Sequence, residues 1–180
     1  MKLSFILIII FFISQSIKAD QKDPVLDELF NQLQSIENIN QHNIIINKIW
    51  NIWLQPSNIE IKGDFNKGLE LMKNMEYGKS LFFLSRVIND NPDFAEAWNK
   101  RATVYFLIGD YEKSIKDINK TLLLEPRHFG AMDGLALIFF NLKKYSETKK
   151  IYQEILKILP HSTETKNKIV NLNNMFLNQA

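Results

Sequence analysis

The sequence has no cysteine. That excludes a disulfide framework, a lipid-modified cysteine, a c-type haem attachment and any thiolate metal site. Its three histidines, His42, His128 and His161, stand far apart, and none belongs to a paired metal-ligand spacing. A Gly-rich phosphate loop, a Gly-x-Ser-x-Gly elbow and a nucleophilic cysteine are likewise missing. Acid pairs such as Asp90 and Asp93 flank Pro92 in a turn and read as helix caps rather than as a general acid and base. Neither a catalytic residue nor a metal or other cofactor is therefore expected.

A long hydrophobic run is also lacking. The longest apolar stretch, from Phe5 to Ile13, falls short of the roughly 18 to 20 residues that a spanning helix needs. It follows the basic start Met1-Lys2 and leads through Ser14, Ser16 and Lys18 to Ala19, ahead of Asp20. This pattern reads as a secretory signal peptide over residues 1–19. Ile17 is larger than the ideal residue third from the cleavage point, so an uncleaved membrane anchor is the alternative. A strong charge of one sign is absent too. Residues 1–19 hold Lys2, Lys18 and no acid, so their removal turns a net charge of +2 into formal neutrality. A phosphate-neutralising stripe is not visible, and nucleic acid is not expected as a partner.

What is present is repetition. Pro92, Pro126 and Pro160 stand 34 residues apart, as do Tyr77, Tyr111 and Tyr145. The same period relates Ser80, Ser114 and Thr148; Gly68, Ala102 and Ala136; Leu71, Tyr105 and Phe139; Leu84, Ile118 and Tyr152; and Val87, Thr121 and Ile155. Seven series in one register mark a helical hairpin used three times. In each unit the small residue lets the two helices approach. The second helix offers a packing stripe such as Ser114, Ile118 and Thr121, and proline closes the unit. Gly109 supplies the left-handed backbone of the middle turn.

This period and pattern resemble the tetratricopeptide-repeat (TPR) family. The middle unit matches best, through Trp98, Ala102, Tyr105, Gly109, Tyr111, Ser114, Ile118, Thr121 and Pro126. Arg101 departs from it, standing where the family packs a leucine. The runs Pro92–Thr103 and Leu124–Met132 are similar to those of short exported TPR proteins of alphaproteobacteria. The resemblance implies an all-α, right-handed solenoid of three hairpins at 61–94, 95–128 and 129–162. Residues 20–60 read as an N-terminal helical cap or a degenerate fourth repeat, and 163–180 as a C-terminal capping helix. Two helices are expected in the first cap, at 24–38 and 41–55, the second with Ile46, Ile49, Trp50 and Trp53 on one face covering the first repeat. The last helix should turn Ile169, Leu172, Met175 and Phe176 inward, and Lys166, Lys168, Asn173 and Asn174 outward. Gly63 and Asp64 should shorten the first helix of the first hairpin, with Asp64 as its cap.

The resemblance also implies a concave groove lined by successive first helices. It should hold a peptide or helix of a partner protein. Carried over position by position, the groove consists of Lys62, Phe65, Asn66, Leu69, Met72 and Lys73; then Glu96, Asn99, Lys100, Thr103, Phe106 and Leu107; then Gly130, Asp133, Leu137, Phe140 and Asn141. Family members that clamp a C-terminal carboxylate need cations here, but Phe65, Leu69, Gly130 and Gly134 occupy those places, so no clamp is expected. Arg101 reads as half of an internal ion pair, and Arg127-His128 as a solvated turn. The functional expectation is an exported, periplasmic interaction module or adaptor without enzymatic activity. Membrane contact would arise through an uncleaved N-terminus or a membrane-protein partner. The alternative is an assembly subunit of an envelope complex, docked through the Trp50/Trp53 helix.

Overall fold

The computed structural model describes residues 20–177, with side chains to residue 175; residues 1–19, and the signal peptide read there, lie outside the described part. Among the described residues there are nine helices and no strand. They are α1 (Val25–Ser35), α2 (Ile39–Trp53), α3 (Ile59–Lys73), α4 (Tyr77–Asp90), α5 (Ala95–Leu107), α6 (Tyr111–Leu124), α7 (Phe129–Asn141), α8 (Tyr145–Ile158) and α9 (Thr163–Leu177). The pairs α3–α4, α5–α6 and α7–α8 are antiparallel hairpins stacked in chain order, an α-solenoid. No described helix is long and apolar enough to cross a membrane.

The periodic residues build the hairpins through one recurring hydrogen bond. A hydroxyl on each second helix donates to the carbonyl of the small residue twelve positions earlier. Ser80 reaches Gly68 O at 2.8 Å, Ser114 reaches Ala102 O at 2.8 Å, and Thr148 reaches Ala136 O at 3.5 Å. All three hydroxyl residues are fully buried. A side chain larger than a methyl on the first helix would hold the helices too far apart. Even a Cβ on Gly68 would stand 2.9 Å from Cγ of Leu84. The turns repeat as well. Met75, Gly109 and Lys143, again 34 apart, adopt φ of 62°, 80° and 59°. In each turn the following N–H returns to a carbonyl five residues back, at 2.8 to 2.9 Å. Glycine does this without strain in the middle unit, whereas Met75 and Lys143 carry a Cβ into the same geometry.

Helix α3 starts at Ile59, and the Asn58 side chain accepts from Glu60 N at 2.8 Å as its cap. Gly63 and Asp64 therefore lie inside the helix instead of shortening it, and Asp64 pairs with Arg86 at 3.1 Å. In α9, Leu172 is buried and Ile169 half-buried, but Met175 is 37% exposed, and the Phe176 side chain is outside the described ones. Lys168 is not free in solvent: it bridges Asp133 at 2.7 Å and Glu164 at 2.8 Å. Asn173 likewise accepts from Lys149 at 2.9 Å.

The main departure concerns α1 and α2. Their tryptophan face does not cover the first repeat. Trp53, 1% exposed, stacks on His128 with centroids 4.1 Å apart and packs on Phe129 at 5.1 Å, at the start of the third repeat. Trp50 meets Phe129 edge-on at 5.5 Å. Leu26, Leu29, Phe30, Leu33, Ile45 and Ile49 share one core with Tyr152 and Ile155 of α8 and with Leu159, which caps its end. The polar ties agree: Gln34 donates to Ile158 O at 2.9 Å, and Arg127 pairs with Asp27 at 2.7 Å. The physical reason is shape. The hairpin lacks the small-residue and hydroxyl pair that draws the two helices of each repeat together. Its broad Leu, Ile and Trp face finds an equally broad apolar surface at the start of α7 and the end of α8. Turned inward, that face cannot serve as a dock for an envelope complex.

Candidate functional site

The groove-facing residues divide into three groups. Phe65 does not belong to the groove: it is fully buried in the first core, edge-on to Phe94 at 4.9 Å. Leu69 and Met72 pack half-buried on that same core, while Lys62, Asn66 and Lys73 stand exposed along α3. Aromatic size, not groove chemistry, explains Phe65. The space between α3 and α5 must be filled before any face of α3 can be left open.

A second group closes the end of the groove nearest α2. The Glu96 carboxylate is 1% exposed. His128 accepts the Ala131 N–H on Nδ1 at 3.1 Å, which leaves Nε2 to donate to Glu96 Oε2 at 2.8 Å. Asn99 donates to the same oxygen at 3.0 Å, and Lys100 Nζ lies 2.9 Å from Oε1, a charge contact rather than an aligned hydrogen bond. Burial alone would raise the Glu96 carboxyl. The Lys100 ammonium and the His128 hydrogen bond outweigh it and hold the group at about 2. Trp53 covers the imidazole, and Trp50 lies under the Lys100 ammonium, 5.2 Å from ring centroid to Nζ. Asn99 and Lys100, expected to meet a ligand, are thus engaged within the protein. His128 is buried as the cap of α7, not solvated, and Arg127 pairs with Glu125 at 3.0 Å as well as with Asp27. Glu96 and His128 are 32 residues apart, close to one repeat. That spacing, which sets them side by side at the starts of neighbouring first helices, was the available signal.

The third group stays open. Asn99, Thr103, Phe106 and Leu107 of α5 and Gly130, Asp133 and Leu137 of α7 border one cavity of about 260 Å³. Leu107 and Leu137 are 48% and 38% exposed at its rim. Phe106 also stacks on Tyr111 at 5.7 Å. Farther along, Phe140 is half-buried against Tyr145, and Asn141 donates to Tyr111 Oη at 3.0 Å. Arg101 stays out of the groove, forking onto Asp117 at 2.7 and 2.9 Å and lying over Trp98 at 4.9 Å. This guanidinium–carboxylate pair, with Ser85 as a further acceptor at 3.0 Å, takes the place of the usual packed leucine.

The tetratricopeptide repeat family matches the chain over residues 95–128. A TPR repeat-containing protein of Rhizobium etli is 36% identical over 135 residues, covering 75% of this chain and 66% of its own. Hsp70-Hsp90 organizing protein 1 of Glycine max is 30% identical over 98 residues, covering 54% of this chain and 17% of its own. This chain therefore spans just under two thirds of the first relative and about a sixth of the second. Among solved structures, the second TPR domain of human RPAP3, in complex with the HSP70 peptide SGPTIEEVD, superposes with a TM-score of 0.56. It is 21% identical and covers 61% of this chain and 92% of its own, a likeness of fold. Three stacked hairpins, the 34-residue register and these matches agree: the chain belongs to the tetratricopeptide-repeat family.

Proposed function

We propose that the protein is a non-catalytic interaction module that holds a segment of a partner protein in the open half of its concave groove. The observation that carries this reading is the cavity between α5 and α7, walled by Thr103, Phe106, Leu107 and Leu137 and floored by the glycines of α7. Neighbours of the same fold hold peptides of HSP90 and HSP70. An acidic tail of that kind does not suit this groove. Phe65 is core, Gly130 and Gly134 offer no cation, and Lys100 is neutralised by Glu96. Export to the periplasm belongs to the same proposal and rests on the basic start, the apolar run and Ala19.

The test is affinity capture from periplasmic extract, with Leu107→Asp/Leu137→Asp as the comparison. Both side chains are exposed, so this variant should keep its thermal midpoint. A protein retained by wild type and lost by the folded variant is expected. Identical captures, or sedimentation with membranes without a groove-dependent partner, would overturn the reading. N-terminal sequencing of the envelope fraction should begin at Asp20, and an intact Met1 in the cytosol would remove export from the proposal.

A further inference from the structure

Helix α7 carries Gly130 and Gly134 one turn apart, and the two have different surroundings. On Gly130 sits the indole of Trp50: a Cβ there would stand 2.7 Å from Cζ2 and closer still to Cη2. At Gly134 the nearest atom to a Cβ is Cδ1 of Ile118, at an ordinary 3.7 Å. The space above it is the open cavity, with Ala102, Thr103, Phe106, Ile118 and Leu137 around it. Gly130 and Asp133 border both this cavity and its neighbour of about 210 Å³ beside Trp50. The Gly134 depression thus continues a surface on which α2 already seats one aromatic side chain.

The polar groups at the cavity are already engaged. Thr103 donates to Asn99 O at 3.0 Å, Ser114 to Ala102 O at 2.8 Å, and Asn99 to Glu96 at 3.0 Å. The Asp133 carboxylate is held by Lys168 at 2.7 Å. A ligand charge brought here would lose water and find no free counter-ion, which is costly. A large apolar side chain would find the Phe106 ring, the Ile118 methyl and two exposed leucines. We infer that the partner segment is uncharged where it enters the groove and is anchored by one aromatic side chain seated on Gly134, as Trp50 is seated on Gly130. This rests on the groove reading above and specifies its ligand.

The probe is N-acetyl-tryptophanamide, an uncharged indole, titrated into the protein while backbone amide shifts are followed by NMR. The acidic peptide SRMEEVD serves as the comparison. Shifts saturating at Thr103, Gly134 and Leu137 are expected, with no saturable response to the acidic peptide. Gly134→Leu should weaken indole binding at least tenfold. Gly134→Ala, whose methyl fits without displacing Ile118, should weaken it less and keep the thermal midpoint. Indole shifts centred elsewhere, unchanged binding by a folded Gly134→Leu, or tighter binding of SRMEEVD would each overturn the anchor assignment. A partner captured equally by wild type and folded Gly134→Leu, yet lost by Leu107→Asp/Leu137→Asp, would overturn the anchor alone and leave the groove standing.

Discussion

Replacing Trp53 with alanine tests where the N-terminal hairpin belongs. The indole is 1% exposed and touches Phe30, Trp50, His128 and Phe129. A buried tryptophan removes roughly 150 to 250 Å² from water. At about 25 cal/mol per Å² this is worth some 4 to 6 kcal/mol. Alanine retains part of that area, and measured truncations of buried aromatics cost about 3 to 5 kcal/mol, so we expect a loss of about 4 kcal/mol. In a chain of this size each kcal/mol lowers the thermal midpoint by about 2 to 4 °C, giving a fall of roughly 8 to 16 °C. Because neighbouring repeats of a solenoid can open separately, the decisive assay is segment-resolved hydrogen exchange. Amides at the start of α7 and the end of α8 should lose protection, while α3 and α4 keep theirs. A loss below about 1 kcal/mol, or exchange opening first in α3 and α4, would refute the placement and return the hairpin to the end of the first repeat.

Glu96 should give the protein an acid-sensitive component. Its carboxyl is lowered from 4.5 to about 2 in the folded state, so its contribution is complete above pH 4.5 and is lost as pH falls toward 2. At 1.36 kcal/mol per unit this amounts to about 3 kcal/mol; urea unfolding at pH 6, 4 and 3 should show it, and Glu96→Gln should flatten the dependence. An unchanged slope in that variant would place the acid sensitivity elsewhere. Arg101→Leu should cost about 3 to 5 kcal/mol, because it leaves the 3% exposed Asp117 carboxylate without its cation. Arg101→Leu/Asp117→Leu should recover most of that loss in the same assay, whereas additive costs would mean the two side chains act independently.

The repeats are written in the order of the residues. A 34-residue register of small, hydroxyl and aromatic residues can be satisfied by one local arrangement, in which a hydroxyl reaches the carbonyl twelve residues back. Contacts that close within a single hairpin leave their spacing in the sequence, and so the all-helical solenoid was legible. That Arg101 would pair internally was legible too, because a guanidinium at a packing position needs a carboxylate; which carboxylate, Asp117 on the paired helix, came from the structure. The site was legible only in part. Spacing assigned Phe65, Lys100 and Asn99 to an open groove, but a periodic pattern states which face a residue lies on, not what else comes to cover that face. Packing between distant segments settles that. The α1–α2 hairpin reaches past the first repeat and buries Glu96 and His128 under two tryptophans. It fills the Gly130 depression and leaves the Gly134 depression open. Such contacts join residues as far as 124 positions apart with no common period, so they are fixed by the fit of two broad apolar surfaces, and that fit exists only once the chain has folded.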